Sequence, residues 1–383
     1  MTCPELLLTA VLSLADDQNL FEAIGNDTVL RLSRQAGRSG FADAASLHRL
    51  TGTASRRLLA VGVAPLDLCC KLAQRLSLNT GISLDDCDAV LLCHSHTTNA
   101  AAESLAQKLA EKLKLNPAIV HGWNFGCSGF IQLLCEAAQL FAQQASINRV
   151  ALLNVETPET WHCSADRMFC GIVGAGATAV VVERANSQTT ATQIQPQPQT
   201  LTQPGPTPRG TRVTALQRVD IPILLPPASP PLFHVEDCDG WTFRGQTCRR
   251  PVMRMNAEQV FVSGIELMLA TLRQALKQLS PAPAPSRRIV ILPHQPSGKL
   301  LRALASAVQL EFPGCHLLQN LEQQGNTISC TIPQLLADLP EVLQQNNVAP
   351  HPETLYVAIG AGICMHRMHD QMSAGFAVLE ALP

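Results

Sequence analysis

The stretch that decides the fold is NFGCSGF (residues 124–130), which is followed at once by the apolar run IQLLCEAAQL (residues 131–140). This order places Cys127 at the first turn of a buried helix. There, unpaired backbone N–H groups and the helix dipole favour the thiolate, which lowers the pKa of a cysteine from roughly 8.5. Gly126 and Gly129 let backbone and substrate approach the sulfur closely. The stretch therefore predicts a reactive nucleophile, although a buried and inert cysteine fits these few residues equally well.

Two polar side chains far along the chain could act with this cysteine. VILPH (residues 290–294) is typical of a short buried strand that ends at His294. The carboxyl end of a strand is where open α/β sheets place their sites. QGNTIS (residues 324–329) offers Asn326 in a turn marked by glycine. A cysteine, a histidine and an asparagine at the ends of elements form a candidate catalytic set.

Short apolar strands alternate with longer helical patterns along the chain, which predicts βαβ units and a largely parallel sheet. The second half repeats the pattern, so we expect two similar α/β halves, residues 1–184 with the nucleophile and residues 232–383 with His294 and Asn326. The predicted strands are 89–93, 150–154, 177–182, 288–292 and a final one at 354–359, and the predicted helices are 102–113, 260–279, 299–310 and 332–339.

Between the two halves, residues 185–231 are rich in proline and glutamine. Because proline excludes helix and central strand, this segment is predicted to be an exposed, extended connector. It could be a flexible insertion or a cover over the entrance to a site.

Composition excludes several classes of protein. With 383 residues, 46% apolar and 15% charged, the chain can bury one large or two ordinary cores. A net charge of −2 and the lack of a basic stripe argue against nucleic acid as a partner. The start of the chain has no basic region before its apolar run, and Asp16 and Asp17 interrupt it, so we expect no membrane segment and a cytoplasmic location. Most of the fourteen cysteines are then reduced core residues.

Three motifs resemble those of the β-ketoacyl-acyl-carrier-protein synthase III group of the thiolase superfamily. They are Cys127-Ser128-Gly129-Phe130, Pro293-His294-Gln295 and Gly325-Asn326-Thr327, in the order in which that family carries its nucleophile, histidine and asparagine. The resemblance runs from about Leu47 to about Met365. Each motif alone is weak, and the three together are strong. The resemblance implies a thiolase-like duplicated α/β fold, layered αβαβα with two mixed sheets.

The resemblance also implies a reaction. Cys127 would accept an acyl group from a thioester, with the backbone amides of Cys127 and Ala361 binding the oxyanion. His294 and Asn326 would then stabilise the enolate that forms when a malonyl-type thioester loses CO₂. The product of this decarboxylative Claisen condensation would belong to a fatty-acid-like or polyketide pathway, and no cofactor is implied.

Several positions depart from the family pattern and bear on the substrate. The adenine clamp for coenzyme A is missing from residues 46–50, so both coenzyme A and acyl carrier protein thioesters remain possible donors. Arg167 and Lys299 resemble phosphate and carrier contacts, and both also fit solvated surface charges. Ala101 lies in an alanine segment where housekeeping members carry a bulky aromatic residue, which predicts a larger acyl pocket. The resemblance implies a homodimer, or a heterodimer with a related subunit.

Two alternative functions stay open at this point. The first is an acyltransferase that passes the acyl group of Cys127 to an alcohol, an amine or a preformed β-keto nucleophile. The second is a supporting subunit of a condensing-enzyme heterodimer. Separately, Cys364 and His366 would share one face of a strand and could bind zinc, but only one such cluster is visible, so we predict no metal site.

Overall fold

The computed structural model describes residues 6–35, 41–117, 119–163, 171–185, 210–227, 229–241, 247–279, 287–366 and 370–381. Its strands are β1 (Leu6–Ser13), β2 (Phe21–Gly25), β3 (Ser55–Leu59), β4 (Ala89–Cys93), β5 (Ile119–Trp123), β6 (Arg149–Glu156), β7 (Gly176–Arg184), β8 (Thr211–Pro222), β9 (Phe233–Trp241), β10 (Thr247–Met255), β11 (Arg288–Pro293), β12 (Cys315–Leu317), β13 (Thr354–Ile363) and β14 (Gln371–Ala381). Its helices are α1 (Asn26–Gln35), α2 (Ala44–Thr51), α3 (Pro65–Thr80), α4 (Asn99–Leu113), α5 (Gly129–Gln143), α6 (Ala257–Gln278), α7 (Gly298–Glu311), α8 (Leu321–Gln324), α9 (Thr331–Ala337) and α10 (Leu339–Gln345).

The main sheet consists of two halves with the same topology. Its ten strands run in the order β12-β11-β13-β14-β8-β1-β7-β6-β4-β5. In the first half, β4 pairs in parallel with β5 and β6, and β7 is antiparallel to β6 and β1. In the second half, β11 pairs in parallel with β12 and β13, and β14 is antiparallel to β13 and β8. The predicted pair of mixed sheets is confirmed, and they are joined edge to edge where Leu6–Leu8 pair with Thr211–Val213.

Helices form three layers around the two halves of the sheet. The central layer is α5 with α9, whose apolar residues pack in one core with strands of both halves. On the outer face of the first half lie α3 and α4, and on the outer face of the second half lie α6 and α7. The layers therefore follow the order αβαβα, in agreement with the fold that the sequence predicts.

The predicted connector is wrong over residues 211–222, which form β8 in the middle of the sheet. The cause is the placement of the prolines, because this segment has none before Pro222 and can pair along its length with β14. Of the rest of the predicted connector, residues 186–209 lie outside the described residues.

Two other predictions need correction. The strand at Thr354–Ile363 is not the last of the chain, because β14 follows it as its antiparallel neighbour. The helix predicted over 332–339 is divided into α9 and α10, and Pro340 stands in the first turn of α10, where its missing N–H is tolerated. Among the described residues, no helix has the length and apolar character needed to cross a membrane.

Candidate active site

Cys127 lies in a 3₁₀ turn, Gly126–Ser128, that leads directly into α5. Gly126 has φ of +64°, a left-handed conformation that favours glycine. A side chain at this position would also lie 3.0 Å from Sδ of Met365 and 3.2 Å from the carbonyl oxygen of Ile363. The sharp turn that the sequence predicts around Cys127 is therefore present, and the second half of the molecule packs closely against it.

The second half reaches Cys127 through Gly360-Ala361-Gly362 on β13. A Cβ atom added to Gly362 would lie 2.5 Å from Cβ of Cys127, whereas one added to Gly360 would meet its nearest neighbour, Cα of Ser128, at 3.5 Å. Only glycine therefore fits at position 362. This contact brings the backbone around Ala361 next to the nucleophile, where the family resemblance expects a second oxyanion donor.

His294 follows β11 directly and is 1% exposed. Its backbone N–H donates to the carbonyl oxygen of Ile359 at 2.8 Å, which fixes the residue to the end of β13. Burial lowers the pKa of His294 to about 3, opposed by the nearby backbone carbonyl of Ile328. The Ile328 contact is too poorly aligned to count as a full hydrogen bond, and neither ring nitrogen has another partner among the described residues. His294 is thus a neutral imidazole whose polar atoms are available to a substrate.

Asn326 lies in the turn before α9 and is 7% exposed. Its Oδ1 accepts a hydrogen bond of 2.8 Å from the backbone N–H of Ile328, and its Nδ2 donates to the carbonyl of Pro296 at 3.3 Å. The oxygen of the amide is therefore occupied, and Nδ2 is the end that can donate. Ile328 has φ of +56°, which is strained for a β-branched residue and is found mostly at functional sites.

The predicted lowering of the Cys127 pKa is wrong. Burial raises the pKa of the Cys127 thiol to about 12, and the nearby Glu156 carboxylate raises it further, while its own backbone N–H lowers it only in part. The loss of hydration raises the pKa of the thiol by more than the backbone N–H at the start of the helix lowers it. The resting site therefore contains a protonated thiol and a neutral histidine, so the thiol must lose its proton as it reacts.

Glu156 is a component of the site that the sequence analysis missed. It ends β6, is fully buried, and accepts hydrogen bonds from the backbone N–H of Ser95 at 3.1 Å, from the Ser95 hydroxyl at 3.0 Å and from the Ser329 hydroxyl. Burial raises its pKa to about 8 despite these bonds. An acidic residue that ends an apolar strand was the signal available in the sequence, because a buried carboxyl group there needs partners.

One cavity of about 150 Å³ brings the predicted residues together. Cys127, His294, Asn326 and Ala361 all line it. Its wall is otherwise largely apolar, and five of the eight methionines of the chain contribute to it: Met253, Met255, Met268, Met365 and Met372. A nucleophile, a neutral histidine and an amide donor thus face one apolar space that suits an acyl chain.

The other predicted site residues lie elsewhere. Ala101 is in the first turn of α4 and is not among the residues that line the cavity. Lys299 is exposed in the first turn of α7, and its Nζ lies 4.8 Å from the ring centroid of Phe261, which does line the cavity. Lys299 is therefore close to the edge of the site. Arg167 lies outside the described residues.

Comparison with known proteins gives consistent results. The family described as 3-oxoacyl-[acyl-carrier-protein (ACP)] synthase III matches residues 123–197. The β-ketoacyl-[acyl-carrier-protein] synthase III of Prochlorococcus marinus is 24% identical over 286 residues, 75% of this chain and 76% of the relative. The crystal structure of 3-oxoacyl-(acyl carrier protein) synthase III from Pseudomonas aeruginosa PAO1 superposes with a TM-score of 0.67 at 18% identity, over 99% of both chains. A priming β-ketosynthase of a polyketide biosynthetic pathway gives a TM-score of 0.68 at 17% identity, over 99% of this chain and 97% of its own.

Proposed function

Because this chain belongs to the β-ketoacyl-acyl-carrier-protein synthase III-like condensing enzymes of the thiolase superfamily, we propose that Cys127 takes an acyl group from a thioester and that His294 and Asn326 then direct its condensation with a malonyl-type thioester. The observation that carries this proposal is the convergence of Cys127, His294 and Asn326 on one apolar cavity. The three residues come from distant parts of the sequence, so their meeting requires the fold.

In the first half-reaction, the Cys127 sulfur attacks the carbonyl carbon of the acyl thioester. The thiol proton leaves as the S–C bond forms and is delivered to the sulfur of the departing donor, because burial lowers the pKa of His294 to about 3 and makes that imidazole too weak a base to hold it. Backbone N–H groups of Cys127 and Ala361 are the candidate donors to the oxyanion. The intermediate collapses to acyl-Cys127, and the donor leaves as a thiol once the proton is on its sulfur.

In the second half-reaction, the malonyl-type thioester loses CO₂, and the electron pair of the broken C–C bond forms an enolate. Its oxygen needs hydrogen-bond donors, and a ring N–H of His294 and Nδ2 of Asn326 can supply them. A neutral imidazole donates through one nitrogen and avoids the free-energy cost of burying a positive charge. The enolate carbon then attacks the carbonyl of acyl-Cys127, and the cysteine leaves as a thiolate, which takes a proton from solvent to restore the resting thiol.

The donor and the pathway are finer parts of the proposal. The residues present favour acyl carrier protein or coenzyme A thioesters as substrates, with Lys299 and Arg167 as candidate contacts to the carrier or phosphate. The similarity to a polyketide priming ketosynthase supports a fatty-acid-like or polyketide pathway for the product. We propose a homodimer, or a heterodimer with a related subunit, in the cytoplasm.

The test separates the two half-reactions. Intact-protein mass spectrometry after incubation with a panel of acyl thioesters should show one added acyl group, and peptide mapping should place it on Cys127. Asn326→Ala should acylate nearly as the wild type does, while decarboxylation of malonyl thioester falls by about 10²–10³-fold because an oxyanion donor is lost. Cys127→Ser is the control for acylation at other cysteines.

The alternatives give different outcomes in the same experiment. An Asn326→Ala enzyme that condenses normally would contradict the decarboxylative mechanism. Acylation of Cys127 followed by transfer to an alcohol, an amine or a preformed β-keto compound, without decarboxylation, would support an acyltransferase. No acylation until a related subunit is added would support the supporting-subunit function.

A further inference from the structure

A second cluster of reactive side chains lies at the turn between β13 and β14. It consists of Asp220 from β8 together with Cys364 and His366 from the turn, and one potential ligand atom of each lies within 4.8 Å of those of the other two. The Cys364 sulfur and Nδ1 of His366 are 3.7 Å apart. The sequence shows only the cysteine and the histidine, and the fold brings in Asp220, which is more than 140 positions away along the chain.

From this geometry we infer that Asp220, Cys364 and His366 bind one Zn²⁺ ion, independently of the proposed function. Thiolate sulfur, imidazole nitrogen and carboxylate oxygen are the three ligand types that zinc takes in proteins. Tetrahedral bonds of about 2.3 Å to sulfur and 2.0–2.1 Å to nitrogen place those two atoms about 3.5 Å apart, close to the separation found here. Three protein ligands leave a fourth position for water.

The charge of the site also suits a divalent cation. As zinc binds, the Cys364 thiol releases its proton to solvent and a sulfur–zinc bond forms, while Asp220 binds as a carboxylate and His366 as a neutral imidazole. One thiolate and one carboxylate then balance the two positive charges of the ion. This neutrality matters because Cys364 is fully buried, where an uncompensated charge is strongly unfavourable.

The backbone and the neighbouring rings hold the ligands in place. The N–H of Cys364 donates to the carbonyl of Gln371 at 2.9 Å, and the carbonyl of His366 accepts from the Asn99 side chain at 3.2 Å. The His366 ring meets the Phe125 ring edge-on, with 4.8 Å between centroids. Supporting contacts of this kind orient metal ligands before the metal arrives.

The position of the cluster indicates a structural function for the ion. Ile363 and Met365, which flank Cys364, both line the cavity of Cys127. A zinc ion bound here would tie this turn to β8 and hold Met365 against the glycine that precedes the nucleophile. It would therefore stabilise one wall of the active site without contacting the reacting atoms.

The experiment uses the full chain, purified without a polyhistidine tag. Elemental analysis after dialysis against micromolar Zn²⁺ should find about one zinc per chain. Replacement by Co²⁺ should give a thiolate-to-cobalt absorption in the near ultraviolet and the visible bands of a tetrahedral ion. Asp220→Asn should raise the Zn²⁺ dissociation constant at least about tenfold, and Cys364→Ser should abolish the near-ultraviolet band. Cys70→Ser and His351→Gln, outside the cluster, are the controls.

The cobalt absorption band decides whether the zinc site exists. Absence of the Co²⁺ thiolate band from the wild-type protein, or its survival in Cys364→Ser, overturns the inference, because the cluster would then be a hydrogen-bonded group without metal. If Cys364→Ser does not fold, X-ray absorption of the wild-type zinc protein decides, since one sulfur ligand supports the site and none refutes it. Acylation of Cys127 is measured separately, so failure of the zinc site leaves the proposed condensation untouched.

Discussion

The two halves of the molecule place a histidine at the same topological position and use it differently. His94 follows β4 and His294 follows β11, and each of these strands is the parallel neighbour of two others in its half. Nδ1 of His94 lies 2.7 Å from the carbonyl oxygen of Val155, and burial lowers its pKa to about 4. His94 does not line the cavity, whereas His294 does and keeps both ring nitrogens unbonded within the described residues. The same topological position thus holds a histidine that contacts the backbone in the first half and a histidine that faces the cavity in the second.

The turns that precede the central helices show the same relationship. Gly126, with φ of +64°, precedes Cys127 and α5, and Gly325, with φ of +68°, precedes Asn326 and α9. The nucleophile and the amide donor are therefore counterparts in the two halves. Where two repeats meet, equivalent backbone positions can therefore carry side chains with different chemical functions.

The largest effect is expected when each of the two histidines is replaced by alanine. His294→Ala should lower the rate of condensation by about 10²–10³-fold, because the enolate loses one donor, while its effect on stability is limited to the loss of buried ring volume, which His94→Ala shares. His94→Ala should lower the free energy of unfolding further, by about 1–3 kcal/mol, because the Val155 carbonyl loses its partner, and leave kcat within a few-fold. Steady-state kinetics and denaturant unfolding of both variants measure this. Equal losses of activity in the two variants would show that His94 and His294 do not differ in function.

The second prediction concerns the contact between the halves. Gly362→Ala forces the nucleophile to move, so kcat/KM should fall by about 10²-fold and the free energy of unfolding by about 1–3 kcal/mol. Gly360→Ala, on the same strand, has room for its methyl group and should behave almost as the wild type does. Acylation rates of both variants with one acyl thioester are the measurement, and an active Gly362→Ala enzyme would show that β13 does not constrain Cys127.

The third prediction uses the buried carboxyl group of the first half. In the folded protein Glu156 stays protonated until about pH 8, while its ordinary value is 4.5. The folded state therefore binds the extra proton between these values, and Glu156 lowers stability as the pH rises through this window, by at most about 1.4 kcal/mol per pH unit. The free energy of unfolding of Glu156→Gln relative to wild type should rise from pH 4.5 to 8 and then level off. Glu258→Gln, on the surface, is the matched control for the substitution itself.

The smallest expected effect compares the outer helices. Lys299→Glu, in the first turn of α7, should lower kcat/KM a few-fold for an acyl group on carrier protein and hardly at all for the coenzyme A ester. Lys108→Glu, on the counterpart helix α4, should change neither. The difference should shrink as salt is added, because exposed charges are screened within about 8–10 Å at physiological ionic strength. An equal loss of kcat/KM with both donors would contradict a contact between Lys299 and the carrier protein.

The sequence predicts the parallel strands β4, β6, β11 and β13 and misses the parallel edge strands β5 and β12. The strands at 89–93, 150–154 and 288–292 appear within one or two residues of their observed bounds, because a short apolar run followed by a helical pattern has few other solutions. Of the antiparallel strands of the main sheet, β7 was predicted, and β1, β8 and β14 were missed. Eight of the eleven residues of β14 are buried, so its sequence lacks the alternation that marks an ordinary antiparallel strand.

The candidate site shows a similar division. Cys127, His294 and Asn326 could be identified from local motifs, because each depends on a short turn whose residues are adjacent in sequence. Glu156 could not be identified in this way, because its partners Ser95 and Ser329 are distant in sequence. The proposed zinc ligand Asp220 could not either, because the fold alone brings it to the turn after β13. The predicted pKa of Cys127 was wrong for the same reason. Water is excluded from the sulfur by residues of both halves that pack around it, and their packing cannot be read from the local motif.

The methionine wall of the cavity has a consequence for how this enzyme distinguishes chain lengths. Branched or aromatic side chains would make a rigid floor that admits acyl groups up to one length and rejects the next. Methionine is unbranched, with three rotatable bonds, and refits its shape without movement of the main chain. We therefore expect the cavity to widen for longer acyl groups, so that selectivity among acyl groups declines gradually with length instead of ending at a sharp limit.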